Sequence, residues 1–159
     1  LTFRAADDPE TYHLLSARME TWDDLVMVHR DRRIPVDGNG FSAIGRLKLL
    51  QLLHGLCTDA GVGIEFEAEI ETLDTFAGCD LVVGADGINS LVRELHADAL
   101  RPTIKFLTNR FVWYGTTQVF DTLTLTFRAN RHGSFVAHHY RYAPDMSTFI
   151  VECDGTSRA

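Results

Sequence analysis

The residues best placed to do chemistry gather in one stretch, residues 79–95, which reads CDLVVGADGINSLVREL. The apolar run Leu81-Val82-Val83 leads into Gly84-Ala85-Asp86-Gly87. Ile88, Leu91, Val92 and Leu95 then follow at helical offsets and make one apolar face. Strand, glycine turn and helix in that order bring backbone N–H groups to an anion or a polar cofactor. Gly87 permits a positive φ and a close backbone approach. Asp86 repels a bare phosphate. Its productive partners are a ribose hydroxyl or a basic side chain that itself meets phosphate. The competing reading makes Asp86 a turn residue capping the helix over 88–95. Ser90 has the same two readings. Arg93 reaches either the cofactor or the acidic strand upstream, and a salt bridge is the simpler assignment.

Arg46 is the second candidate. It falls in the first turn of a helix expected over residues 46–59, where the helix dipole opposes a cation. The placement makes sense if an anion or a carbonyl lies beyond the helix end, because a guanidinium offers a planar fork of donors to phosphate or carbonyl oxygens. The alternative is an ion pair with the glutamates at 65, 67, 69 and 71. Trp113, Tyr114, His138 and Tyr140 are candidates for ring or hydroxyl contacts with a ligand, against the plainer reading of core packing. His138 and His139 are adjacent on a strand, so at most one of them faces a given pocket. Neither has a partner at metal-ligand spacing, and no metal site is expected.

The elements that must position these residues follow from periodicity and turn chemistry. Residues 1–8 read as the tail of an earlier element. Asp8 as cap and Pro9 in the first turn start a helix to about residue 20. Trp22 and Leu25 to His29 read as a strand, Asp31-Arg32-Arg33 as a turn, and Ile34-Pro35-Val36 as a return strand confined by Pro35 to a sheet edge. Residues 37–40, DGNG, are a loop. In the helix at 46–59, Leu49, Leu52, Leu53 and Leu56 form the apolar stripe. Leu47 and Leu50 widen it, which predicts burial on more than one side. Residues 64–70 alternate apolar with glutamate and predict a strand, as do residues 80–84. Residues 96–102 read as a connection. Beyond residue 105 strands are expected at 110–117, 122–129, 134–142 and 148–153, with a hairpin turn at 130–133, as an antiparallel sheet.

Composition bounds the rest. The 159 residues suit one domain, and 45% hydrophobic with 23% charged residues is ordinary for a folded core. No apolar run is long enough to span a membrane and no secretory leader pattern is present, so a cytoplasmic protein is expected. Three cysteines, odd in number and widely spaced, read as reduced buried thiols. The net charge is −7, but residues 1–100 hold 8 basic and 18 acidic side chains, and residues 101–159 hold 7 and 4. The acidic first part excludes general nucleic-acid binding. The basic second part suits an anionic ligand or a solvated set of strand-edge charges.

With those residues in view, the run from Asp80 to Arg93 resembles the D-G-x-x-S-x-x-R fingerprint of the single-component flavin-dependent aromatic hydroxylases. It is intact at Asp86, Gly87, Ser90 and Arg93. The stretch after Gly45 resembles that family's R-x-x-L-x-x-x-L helix, whose arginine contacts FAD. Residues 110–117 and 147–153 resemble the hydroxylases of salicylyl-CoA and 2-aminobenzoyl-CoA and a violacein-pathway monooxygenase. The resemblance implies an α/β (α+β) fold: part of a Rossmann-like FAD-binding sheet with helices in residues 1–100, then a partial β-rich substrate region in residues 101–159. It implies cofactor contacts at Arg46, Asp86, Gly87, Ser90 and Arg93. It implies FAD, NAD(P)H and O2 as the chemistry, with a flavin hydroperoxide hydroxylating an aromatic substrate, possibly a CoA thioester, and no catalytic side chain. The family's G-x-G-x-x-G loop and later G-D motif are absent. A middle fragment, inactive alone and lacking parts of the parent chain, is therefore expected. The rival expectations are a non-catalytic interaction module and an FAD reductase or cyclase of the same fold.

Overall fold

A computed structural model describes residues 8–157. The tail expected at the start of the chain lies, apart from Asp8, outside the described residues. The chain divides into two compact units, one made of the residues up to Gly63 and those from Thr108 on, the other running from Ile64 to Leu107.

The first unit opens with helix α1, Pro9–Ser16. The side chain of Asp8 accepts from the Thr11 backbone N–H at 2.9 Å, which satisfies one of the free donors of the first turn. The helix ends short of the expected residue 20 because residues 17–19 tighten into a turn, with Arg18 and Met19 N–H groups donating to the Leu15 and Ser16 carbonyls. Strands β1, Glu20–Trp22, β2, Leu25–His29, β3, Arg32–Val36, and β4, Phe41–Ala43, follow. Helix α2, Arg46–Asp59, has the predicted bounds and stops where Gly61 turns left-handed at φ 74°. After the second unit come β5, Arg110–Thr116, β6, Leu123–Asn130, β7, Gly133–Ala143, and β8, Met146–Cys153.

Six strands form one sheet in the order β3-β2-β6-β7-β8-β5. Every neighbouring pair is antiparallel except β2 and β6, which run parallel with Leu25 opposite Leu123 and His29 opposite Phe127. The expected antiparallel sheet is therefore extended by an earlier hairpin, which a reading of local patterns does not reveal. Pro35 lies on the edge strand β3, where its missing N–H breaks no ladder. The turn between β2 and β3 is made by Arg30 and Asp31, both left-handed at φ 49° and 63°, the geometry of a tight two-residue hairpin. A separate ladder joins β1 to β4, with Trp22 opposite Phe41. The protected centre lies where these pieces meet: Trp22 is only 8% exposed, and Thr124, Ser147 and Thr148 are buried.

Three expectations give way. Helix α2 is not buried on several sides: Leu47 is 69% exposed and Leu50 is also exposed, while Leu49, Leu52, Leu53 and Leu56 are half-buried. The narrow stripe found a neighbour and its widening did not. The cysteines are free, but none is buried, and Cys79 is exposed. The strands expected at 64–70 and 80–84 do not form.

That last correction concerns the second unit. Alternation makes a strand only when a ladder partner takes up the backbone N–H and C=O groups, and a lone extended segment bonds to water equally well. Neither segment has such a partner among the described residues. The regular elements of this unit are a short 3-10 turn, Asp74–Phe76, helix α3, Leu91–Leu95, and helix α4, Ala97–Leu100, which occupies part of the expected connection.

The cap on α1 is testable. Asp8→Ala is expected to lower stability by about 1 kcal/mol. Urea denaturation followed by circular dichroism checks it, and Asp8→Asn should restore most of the loss.

Candidate functional site

The first unit holds a cavity of about 810 Å³ that brings together five residues singled out in the sequence: Arg46, Trp113, Tyr114, His138 and Tyr140. Strand register explains the grouping. Trp113 pairs with Ile150, and Ile150 with His138, while Tyr140 pairs with Thr148 and Thr148 with Gly115. All of these project from one face of the sheet. Above that face stand Trp22 of β1 and residues 41–47, which carry the chain from β4 into α2. Trp22 meets Tyr140 edge-on at 6.0 Å between ring centroids. The Arg141 guanidinium pairs with the Glu20 carboxylate at 2.6 Å and so ties β1 to β7 beside the cavity. Tyr114 also borders the cavity, but register places it opposite Phe149, on the other face.

Arg46 enters the cavity wall because Gly45 can approach closely. A Cβ at Gly45 would stand 3.4 Å from the Tyr142 ring. The first turn of α2 has no side-chain cap and no acidic residue. Among the described residues Arg46 has no ion-pair partner. Its exposed guanidinium is thus a cation held at a helix start, facing a cavity walled by aromatic rings. Trp22, Tyr142 and Phe41 were missed in the sequence. For Trp22 and Phe41 the signal is the β1–β4 ladder, and two three-residue strands leave no readable period.

His139 is accounted for separately. It faces away from the cavity, stacked on Phe149 at 5.2 Å and tilted against Phe120 at 4.3 Å. One ring nitrogen lies 3.1 Å from the Thr126 hydroxyl. Burial holds its pKa below the ordinary histidine value, and the charges of Arg33 and His138 push the same way.

In the second unit Asp86, Gly87, Ser90 and Arg93 form one turn. Gly87 is left-handed at φ 80°. Helix α3 therefore starts at Leu91 rather than at residue 88, and Ile88 is left 83% exposed. The Ser90 hydroxyl accepts from the Arg93 N–H at 3.0 Å, and Asp86 accepts from the Val92 N–H at 3.2 Å. The hydrogen bond with the Ser90 hydroxyl does most to hold the Asp86 carboxyl below its usual range; desolvation opposes it, and the Val92 amide adds to the lowering. The Arg93 guanidinium donates to the Ile88 carbonyl rather than forming the salt bridge expected of it. Gly84 has a packing reason: a Cβ there would stand 2.7 Å from the Val92 side chain. A second cavity of about 590 Å³, lined by residues from Ala68 to Val92 with Asp86 and Asn89 among them, opens beside the turn.

Comparison with known proteins places this arrangement. No family model matches the chain. Its mixed α/β fold matches that of an FAD-dependent monooxygenase: a crystal structure of PqsL, a probable FAD-dependent monooxygenase from Pseudomonas aeruginosa, aligns with a TM-score of 0.66 over 96% of this chain and 48% of that one, at 16% identity. PqsL in complex with 2-aminobenzoylacetate aligns equally well. In sequence, the chain is 40% identical over 155 residues to a salicyloyl-CoA 5-hydroxylase of a Streptomyces species. It is 35% identical to protodeoxyviolaceinate monooxygenase of Chromobacterium violaceum, and 33% identical to a 3-hydroxy-4-methyl-anthranilyl-[aryl-carrier protein] 5-monooxygenase of Streptosporangium sibiricum. These matches take in 97%, 82% and 96% of this chain, but only 30%, 36% and 42% of the relatives' lengths. The chain is therefore homologous to a segment of these monooxygenases.

Two measurements test the local geometry. Gly84→Ala should destabilise the turn by about 1–3 kcal/mol through overpacking, seen as faster hydrogen exchange at the Val92 amide; unchanged protection would contradict the contact. For His139 the folded pKa lies below the unfolded one, so the unfolded chain takes up the proton first. Its contribution to stability is complete above about pH 6.5 and is lost as the pH falls toward the folded value. His139→Phe should flatten the decline in Tm between pH 7.5 and 5.5, and an unaltered slope would count against that origin.

Proposed function

We propose that this chain forms part of an FAD-dependent monooxygenase that hydroxylates an aromatic acid carried as a thioester. The observation that supports this reading best is the cavity in which Arg46 meets a wall of aromatic rings. The homologous segments of a salicyloyl-CoA hydroxylase and an aryl-carrier-protein monooxygenase support the choice of substrate.

The residues present fit a flavin. Arg46 is an exposed cation that has no ion-pair partner among the described residues, at a helix start with no acidic neighbour in its first turn. It would hold polar oxygens of the cofactor through charge-assisted hydrogen bonds. The D-G-x-x-S-x-x-R turn would shape the backbone beside the cofactor: Gly87 supplies the left-handed bend, and Asp86 and Ser90 secure the following helix by accepting from its N–H groups. Arg93 braces the turn through the Ile88 carbonyl. Bound FAD, reduced by NAD(P)H, supplies the activation of oxygen.

The chain's own part is to bind, orient and exclude water. Trp22, Trp113, Tyr140 and Tyr142 give a ring two or more aromatic walls. His138 and the Tyr140 and Thr148 hydroxyls offer hydrogen bonds to a phenol or carbonyl oxygen, which fixes the carbon presented for hydroxylation. Apolar walls keep water from the reacting centre. In this reading residues 1–100 chiefly contact FAD and residues 101–159 chiefly contact substrate, in a cytoplasmic enzyme completed by further parts of its chain.

Arg46→Ala should weaken FAD retention by about tenfold, the loss of one charge-assisted interaction of roughly 1.4 kcal/mol. Flavin absorbance after dialysis of the enzyme containing this chain measures it. Unchanged flavin content would overturn the role of Arg46. A preparation that stays colourless with added FAD would favour the non-catalytic alternative.

A further inference from the structure

At the far end of the sheet from the aromatic cavity, two hairpin tips lie side by side. The parallel register that sets His29 beside Phe127 brings the β2–β3 turn against the end of β6 and the β6–β7 turn. Five arginines collect there, Arg30, Arg32, Arg33, Arg128 and Arg131, in a chain of net charge −7. The acids at this end are already engaged. Asp31 pairs with Arg128 at 2.7 Å, Glu152 accepts from the Asn109 side-chain amide at 2.7 Å, and Asp154 accepts from Thr156 and Ser157, which holds its pKa down at about 2. Among the described residues Arg30, Arg32 and Arg131 have no ion-pair partner. A cavity of about 550 Å³ opens between the tips, lined by His29, Arg30, Asp31, Phe127, Arg128 and neighbours on β7.

The turn that presents Arg30 is itself costly. Both of its residues are left-handed without being glycine; aspartate and asparagine tolerate that region, and Arg30 is the unfavourable one. Asp31 is pinned in that conformation by Arg128. Strained, over-determined turns of this kind cluster at ligand clamps.

We propose that this arginine end binds the phosphates of coenzyme A while the aromatic acyl group occupies the cavity. The inference rests on the aromatic-thioester reading above. Its geometry comes from the strand that joins the two cavities. Leu123 lines the first and Phe127 the second, four steps apart on the same face of β6. At strand rise that is about 13 Å. A pantetheine arm, with two amide units and their linkers, has about the reach of an extended five-residue chain, roughly 17 Å. On the cavity face of β6 the path between the two ends passes Leu125 and Phe127, flanked by Met27 and Val136. That surface is apolar, as an uncharged arm requires. His29 and Arg32 share this face by register, and Arg30 and Arg131 cap its end. Coenzyme A carries a pyrophosphate and a phosphomonoester, so several charge-assisted contacts are available at the arginine end and none along the arm.

The experiment compares salicylyl-coenzyme A with salicylyl-pantetheine, the same thioester without phosphates. Binding to the whole chain is read by quenching of Trp22 and Trp113 emission. The coenzyme A thioester should bind about tenfold more tightly at low salt, and the advantage should shrink as salt screens it. The triple variant Arg30→Gln, Arg32→Gln, Arg131→Gln leaves the Asp31–Arg128 pair intact and should abolish that advantage without changing the affinity for salicylyl-pantetheine. Lysine at the same three positions should restore most of it. Equal affinity for the two thioesters, or an advantage that survives the glutamine variant, overturns the phosphate site and leaves the aromatic cavity standing. Absence of quenching by either thioester overturns the cavity reading and this inference with it. If the arginine substitutions weaken only an aryl-carrier protein, the site belongs to a protein partner and the coenzyme A assignment is overturned.

Discussion

The parallel ladder between β2 and β6 is the contact on which the first unit depends. Residues 25–29 and 123–127 are almost a hundred positions apart, and closing so long a loop carries an entropic cost that local hairpins avoid. What offsets it is a full five-residue ladder and the Thr122 hydroxyl, which donates to the Asp24 carbonyl at 2.8 Å and fixes the register at the ladder's start. Once β2 is docked, β1 can lie only over the neighbouring strands. Trp22 then meets Tyr140, and Glu20 meets Arg141. Slipping the ladder by one residue would turn Leu25 and Met27 to the other face and carry β1 away from the aromatic surface.

The same ladder gives the sheet two chemically different faces and two different ends. One face gathers Trp113, His138 and Tyr140 toward a cavity with a cation at its rim. On the opposite face His139 packs between Phe120 and Phe149, where burial holds its pKa below the ordinary histidine value. Adjacent histidines thus have unrelated environments, because alternation along a strand separates them by the thickness of the sheet.

Much of the fold was legible in the sequence, for stated reasons. Helix α2 carries a heptad-like leucine stripe and ends in glycine, so both its existence and its bounds could be read. The strands after residue 110 carry turn chemistry at each end. The strands at 64–70 and 80–84 were misread because their pattern is a promise of pairing, and pairing is a property of two segments. In the site, Arg46 lines one cavity with Trp113, His138 and Tyr140, a grouping that strand register and the β4–α2 connection produce and that no local pattern announces. Trp22 was invisible as a site residue because its position depends on the β1–β4 ladder. Asp86 and Ser90 stand in the structure as helix caps, the bland reading of a motif whose resemblance pointed further.

Strand β5 has one further consequence. Among the described residues it is the last strand on one side of the sheet, with no ladder partner beyond β8, and Phe111, Val112, Trp113 and Tyr114 stand exposed along it, Trp113 at 63%. An unpaired row of amides and carbonyls beside four large apolar side chains is a template for another strand, and neither proline nor lysine interrupts it. Handled alone at high concentration, the polypeptide would grow by edge-to-edge association of β5 with β5. Its colloidal behaviour is set by a seven-residue strand, three of whose residues, Trp113, Tyr114 and Gly115, also line the aromatic cavity.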